Sequence, residues 1–175
     1  MPNISGSRAV IVRSTRSTTS RTRLPRACAP RERLPRQPRL VIRYAYLWSH
    51  EAKAGHEEGS KDRPCAILLT ATTKAGARMV TVLPVTHTPP ADPKLAVEIP
   101  AATKARLGLD DERSWVILTE LNHFQWPGPD LRPAPGDPAG DVAYGVLPAS
   151  LYETIRTRWL AAYDAGKIAQ VKRTS

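Results

Sequence analysis

Cysteine is almost missing from this chain, acidic residues are nearly missing from its first forty positions, and no apolar run is long. The two cysteines stand in unlike contexts, Cys28 among arginines and Cys65 inside an apolar run. That pattern excludes a disulfide framework and fits a reducing compartment, so a cytoplasmic location is expected. No apolar stretch approaches the roughly 20 residues that span a bilayer, and the N-terminus lacks the central apolar block of a secretory signal; a soluble protein with no membrane partner is expected. His50, His56, His87 and His123 are scattered and show no paired ligand spacing. Neither a metal nor any other cofactor is therefore expected.

The shortage of acids matters for the net charge of +10. Residues 1–40 hold ten arginines against the single Glu32, which leaves only about +1 for residues 41–175. The basicity belongs to a tail, and a claim about the folded part must rest on local patches. The tail, rich in Ser, Thr, Arg and Pro and without an aromatic residue, cannot bury enough apolar surface to offset its ordering entropy, so it reads as disordered. Three readings of it stay open: a nonspecific nucleic-acid arm, a transit-like segment, or an extension from a start codon set too far upstream, the last favoured. Composition changes abruptly at LVIRYAYLW, and a chain starting at or near Val41 is expected to lose nothing the fold needs.

With 41% hydrophobic residues in 175, the chain has room for one domain plus an appendage. That domain is expected over 41–165, followed by a flexible C-terminus at 166–175. From Arg43 on, short extended segments dominate. YAYLW alternates Tyr44, Tyr46 and Trp48 on one face, CAILL and MVTVLPV are compact apolar runs, KLAVEI alternates, and SWVILTEL is a further strand. Pro84 removes a ladder donor, which predicts an edge or a bulge there. PAATKARLG predicts one or two helical turns ending at Gly108. Residues 127–141 hold five prolines and three glycines and read as a long loop. After it, Ser150 and Glu153 have capping-box spacing, and Leu151, Ile155 and Trp159 mark the buried face of a helix to about Ala165. The fold class is thus mainly β with a C-terminal helix, a small barrel preceded by the arginine-rich tail.

Two polar clusters carry the chemistry. Lys-Asp-Arg-Pro, Lys61 to Pro64, opens one apolar run, and Pro-Val-Thr-His, Pro84 to His87, closes the next. Antiparallel pairing of those runs would bring the clusters together. Arg63, biased to extended geometry by Pro64, can grip a phosphate with two parallel hydrogen bonds, although a solvated turn with ion pairs uses the same residues. Glu57, Glu58 and Lys61 lie beside it.

EEGSKDRP, an apolar strand, and LPVT about twenty residues on resemble the PemK/MazF family of toxin–antitoxin ribonucleases. The resemblance spans roughly residues 43–120. It implies an SH3-like barrel shared with the gyrase-poisoning CcdB-like toxins, a homodimer, a cognate antitoxin as partner, and metal-independent, sequence-specific cleavage of single-stranded RNA. By position it gives Arg63 the role of the catalytic arginine and Thr86 that of the active-site hydroxyl. Departures are Arg43-Tyr44 in place of the usual Gly-Asp opening, His87 after the threonine, and the 127–141 loop.

Metal-free RNA cleavage uses the ribose 2'-hydroxyl as nucleophile and needs a base, a stabiliser of phosphorane charge and an acid. Arg63 remains protonated and suits the phosphate clamp. Glu58 is the candidate base and His87 the candidate acid, though a histidine at a strand end is more often structural or solvated. Lys61 is a candidate RNA contact. Trp126 is another, either stacking a base or packing in the core, whereas core packing is the reading for Trp48. Two other functions use the same residues: a non-catalytic barrel toxin that inhibits a protein such as gyrase, and a nucleic-acid-binding module acting through the tail.

Overall fold

The computed structural model describes residues 38–136 and 140–173. The expected disordered tail lies outside the described residues except at its last three positions.

The fold grows from a three-stranded antiparallel meander. Strand β1 (Leu40–Tyr46) pairs with β2 (Lys61–Thr72), from Val41 opposite Ala66 to Tyr46 opposite Lys61. Strand β2 pairs in turn with β3 (Arg78–Thr86), from Cys65 opposite Pro84 to Thr72 opposite Arg78. The start of β3 then pairs with β6 (Glu120–Gln125) and its end with β5 (Trp115–Ile117), which also holds β4 (Ala96–Glu98). β7 (Ala143–Val146) pairs with β1, and β8 (Ala169–Lys172) runs parallel to β6. The result is an eight-stranded, mainly antiparallel sheet whose strand path runs from β4 to β7 without those two ends pairing among the described residues.

The compact apolar runs follow from a sheet covered on both faces. Val41, Ala66, Leu68, Leu83 and Val85 join Ile155 and Trp159 in one core. The alternate positions Ile42, Tyr44, Tyr46, Cys65, Ile67 and Val82 join Phe124 and Trp126 in the other. Period-two alternation thus feeds two cores from the same strands. Tyr44 stacks on Phe124 at 4.7 Å between ring centroids. Helix α3 (Ala149–Asp164) covers the first core with Ile155 and Trp159, and the Tyr152 hydroxyl donates to the Leu68 carbonyl at 2.8 Å. Two shorter helices, α1 (Ser49–Lys53) and α2 (Ala101–Arg106), follow β1 and β4. Among the described residues no helix is long and apolar enough to cross a membrane.

Several expectations need correction. Pro84 sits in a strand with neighbours on both sides, and the register shift falls at Ile67 to Leu69 in β2. Pro84 is tolerated because β3 changes partner there: Val82 is the last residue paired with β6 and Val85 the first paired with β5, so on that edge no ladder bond calls for the missing donor. Ser150 does not cap α3; Pro148 occupies the N-cap without a side-chain bond, its fixed φ suiting the helix entry. The start near Val41 is too late, because Leu40 pairs with Val146 and the Arg39 backbone bonds both Ile67 and Leu147.

Residues 166–173 are not a loose end, since β8 adds a strand to β6 and Arg173 anchors it. Arg173 donates to Asp130 from Nε at 3.0 Å and from Nη2 at 2.7 Å, with both side chains under 10% exposed. It also reaches the Glu57 carbonyl. Removing one partner of a buried pair leaves an uncompensated charge, at a cost of about 3–5 kcal/mol. Arg173→Ala is expected to lose stability of that order in urea titration, whereas a change under about 0.5 kcal/mol would mean that the last strand is dispensable.

Candidate functional site

The two polar clusters do meet. Lys61, Asp62, Arg63 and Pro64 from the start of β2 and Val85, Thr86, His87 and Thr88 from the end of β3 line one cleft of ≈ 500 Å³, closed by Gly108, Leu109, Asp110, Pro135 and Tyr144. The ladder explains this. Cys65 lies opposite Pro84, so the same register carried two residues further sets Arg63 beside Thr86.

Alternation divides the cleft between the two sheet faces. Arg63 continues the series of Ile67 and Cys65, which face the core of Tyr44 and Tyr46. Its guanidinium carbon sits 5.0 Å from the centroid of the Trp48 ring, and its buried Nε has no hydrogen-bond partner. Thr86 shares that parity, and its Oγ1 accepts from the Thr88 N–H at 3.2 Å. Its own hydroxyl proton remains available to donate. Lys61 is exposed at the rim, and Asp62 is paired with Arg43 at 3.1 Å and Arg132 at 3.6 Å.

His87 follows Val85 and Thr86 into a connected group that was not expected from the residue pattern. Its Nε2 lies 3.2 Å from Asp110 Oδ2, and its Nδ1 lies 3.1 Å from both Ser114 Oγ and the Arg113 carbonyl. Lys104, on the inward face of α2 and only 3% exposed, closes the ring. Its ammonium donates to Asp110 Oδ1 at 2.6 Å, to Ser114 Oγ at 2.6 Å and to the Glu112 carbonyl. All three donors are spent, as a buried ammonium requires. The local chain makes this possible. Gly108, at φ +64°, ends α2 and lets Asp110 turn back beneath Lys104, while pairing of Thr86 with Trp115 sets Ser114 next to His87. The loop is also tied to β4, where Arg113 grips both Glu98 oxygens at 2.7 and 2.8 Å.

The other residues singled out by sequence lie elsewhere. Glu58 lines a second cavity with His56, Glu57, Asp130, Arg132 and Arg173, so the candidate base does not line the cleft of Arg63 and Thr86. Trp126 is 3% exposed in the second core, which leaves no ring face for a base to stack on. Lys104, Asp110 and Ser114 were not anticipated. The signal that existed was LGLDDERS after a short helix, a turn that returns a carboxylate to the helix it leaves. Among the described residues no three His, Cys, Asp or Glu side chains gather to hold a metal ion.

No protein-family model matches the chain, and no curated protein or solved structure matches it. The reading of the cleft rests on its own geometry.

The hydrogen bond from Lys104, aided by the charges of Lys104 and His87, holds the Asp110 carboxyl below its usual range. A carboxyl depressed in the folded state contributes stability above its unfolded pKa of about 3.9, and that contribution is lost as pH falls through the lower folded value. Urea titrations from pH 5 downward are expected to show this acid loss in the wild type and a smaller one in Asp110→Asn. Identical acid profiles would mean that the ring does not form.

Proposed function

We propose that this chain is a metal-independent endoribonuclease of the PemK/MazF type, the toxin of a toxin–antitoxin pair, and that it cuts single-stranded RNA in the cleft at the end of the β2–β3 ladder. One observation carries the reading: the Lys-Asp-Arg-Pro and Pro-Val-Thr-His clusters line the same cleft. In this reading the mainly β sheet wraps as an SH3-like barrel and works as a homodimer.

The chemistry follows from the residue types. The ribose 2'-hydroxyl attacks its own phosphate, so the protein must hold the phosphate, stabilise the charge that develops on it and move protons. Arg63 is the clamp. Stacking on Trp48 holds its guanidinium at the ladder end and reduces the rotamer freedom lost on gripping an oxyanion. The hydroxyl of Thr86, already accepting from Thr88, donates to a phosphate oxygen. Lys61 at the rim draws in the RNA backbone.

Arg63→Ala is expected to slow cleavage by roughly a hundred- to a thousandfold, the usual loss when one preorganised donor is removed. Thr86→Ala is expected to slow it less, a neutral hydrogen bond being weaker than a charged one. The measurement is cleavage of defined single-stranded RNA in EDTA with end-group analysis, and a 2',3'-cyclic phosphate is the expected product. A metal requirement, or full activity in Arg63→Ala, would overturn the proposal.

A further inference from the structure

The cleft holds a phosphate clamp and a hydroxyl but not the expected base, because Glu58 lines the other cavity. Among the carboxylates at the cleft, Asp62 is occupied by Arg43 and Arg132. Asp110 is half-exposed with Oδ2 turned towards the equally exposed His87, while Oδ1 is fixed from beneath by Lys104 and by the Glu112 N–H at 3.2 Å.

We propose that Asp110 and His87 are the catalytic base and acid of this cleft, and that buried Lys104 is the positioning residue that holds Asp110 aimed. The inference rests on the RNA-cleaving reading and supplies its proton chemistry. As the 2'-oxygen forms its bond to phosphorus, its proton passes to Asp110 Oδ2. As the bond from phosphorus to the 5'-oxygen breaks, the Nε2 proton of the His87 imidazolium passes to that oxygen. The protonated Asp110 then returns its proton to His87 Nε2, 3.2 Å away, which restores both groups for the next turnover. No proton is gained or lost, and no further reactant is needed.

The same geometry rules out a different use of these residues. Ser114, His87 and Asp110 are arranged like a nucleophile, a base and an orienting acid, but Ser114 is 1% exposed and its oxygen accepts from Lys104. It cannot reach a substrate. Its part is to receive Lys104 on one side and His87 on the other, so that the loop before β5 keeps its shape.

The pH dependence follows from the groups around Asp110. Lys104 faces it from α2, His87 from the end of β3 and Tyr144 from β7, Glu112 lies beside it in its own loop, and Lys61, Asp62 and Arg63 share its cleft from β2. Of the two cations in direct contact, Lys104 and the His87 imidazolium, Lys104 is the nearer, at 2.6 Å. Without it the Asp110 carboxyl titrates at higher pH, and the acid limb of the rate profile moves up.

The test uses the full chain and a defined single-stranded RNA in EDTA. Asp110→Asn keeps an acceptor for Lys104 and is expected to lower kcat about a hundredfold or more, the usual scale of acid–base catalysis, with the chain still folded by circular dichroism. Lys104→Met is expected to lower kcat with KM little changed and to shift the acid limb to higher pH, which a purely structural loss would not do. If the wild type cuts and Asp110→Asn cuts equally fast, the proton assignment is overturned and the cleft reading stands. If the wild type does not cut single-stranded RNA at all, the reading and the assignment fall together.

Discussion

The register of the β2–β3 ladder is the constraint on which the rest of the molecule depends. With Cys65 opposite Pro84, the polar residues that open one strand come to lie beside those that close the next. A slip of one residue between the two strands would put Arg63 and Thr86 on opposite faces and would turn one strand's apolar residues into the wrong core. Register is pinned because both faces are buried: Ala66, Leu68 and Leu83 belong to one core, Cys65, Ile67 and Val82 to the other. The packing that stabilises the sheet therefore also fixes the cleft. β3 does most of this, since it is paired with β2 from Arg78 to Pro84 and divides its other edge between β6 and β5.

The second organising feature is a buried ammonium. Taking Lys104 out of water costs several kcal/mol unless every donor is met, and the loop after α2 meets them with Asp110, the Glu112 carbonyl and Ser114. An apolar side chain would fill the same space at less risk to stability. What it would not do is hold a carboxylate against an imidazole at the mouth of a cleft. The stacking of Arg63 on Trp48 has a similar character, a charged head kept in place while its Nε is left unpaired. Groups held at such a cost are the ones expected at working sites.

Much of the scaffold was legible in the sequence, and the reasons are specific. CAILL and MVTVLPV are short apolar runs without a helix period, so they read as buried strands, and their pairing could be inferred from the connection between them. Leu151, Ile155 and Trp159 gave α3 its buried face. The misses were of another kind. Nothing in the sequence says that β8 pairs with β6, because that contact lies between positions almost fifty apart and depends on Arg173 finding Asp130. Lys104 was invisible for a different reason: lysine on a short helix is read as solvated, and only the return of the chain at Gly108 brings Asp110 beneath it. Glu58 seemed close to Arg63 because it is close in sequence, yet it lines another cavity. For Trp126 the sequence left base stacking and core packing both open, and its ring packs near Phe124, 6.3 Å between centroids.

The central claim is that the start of β2 and the end of β3 make one site for a ribonucleotide backbone. It is tested most directly by titrating isotope-labelled protein with a single-stranded oligonucleotide whose 2'-hydroxyls are replaced by hydrogen, which can bind but cannot react. Amide shifts tracked by NMR should move together, with one dissociation constant, at Lys61, Asp62 and Arg63, at Thr86 to Thr88, and at Asp110. Shifts confined to one of the two clusters, or centred on the cavity around Glu58 and Arg173, would contradict it.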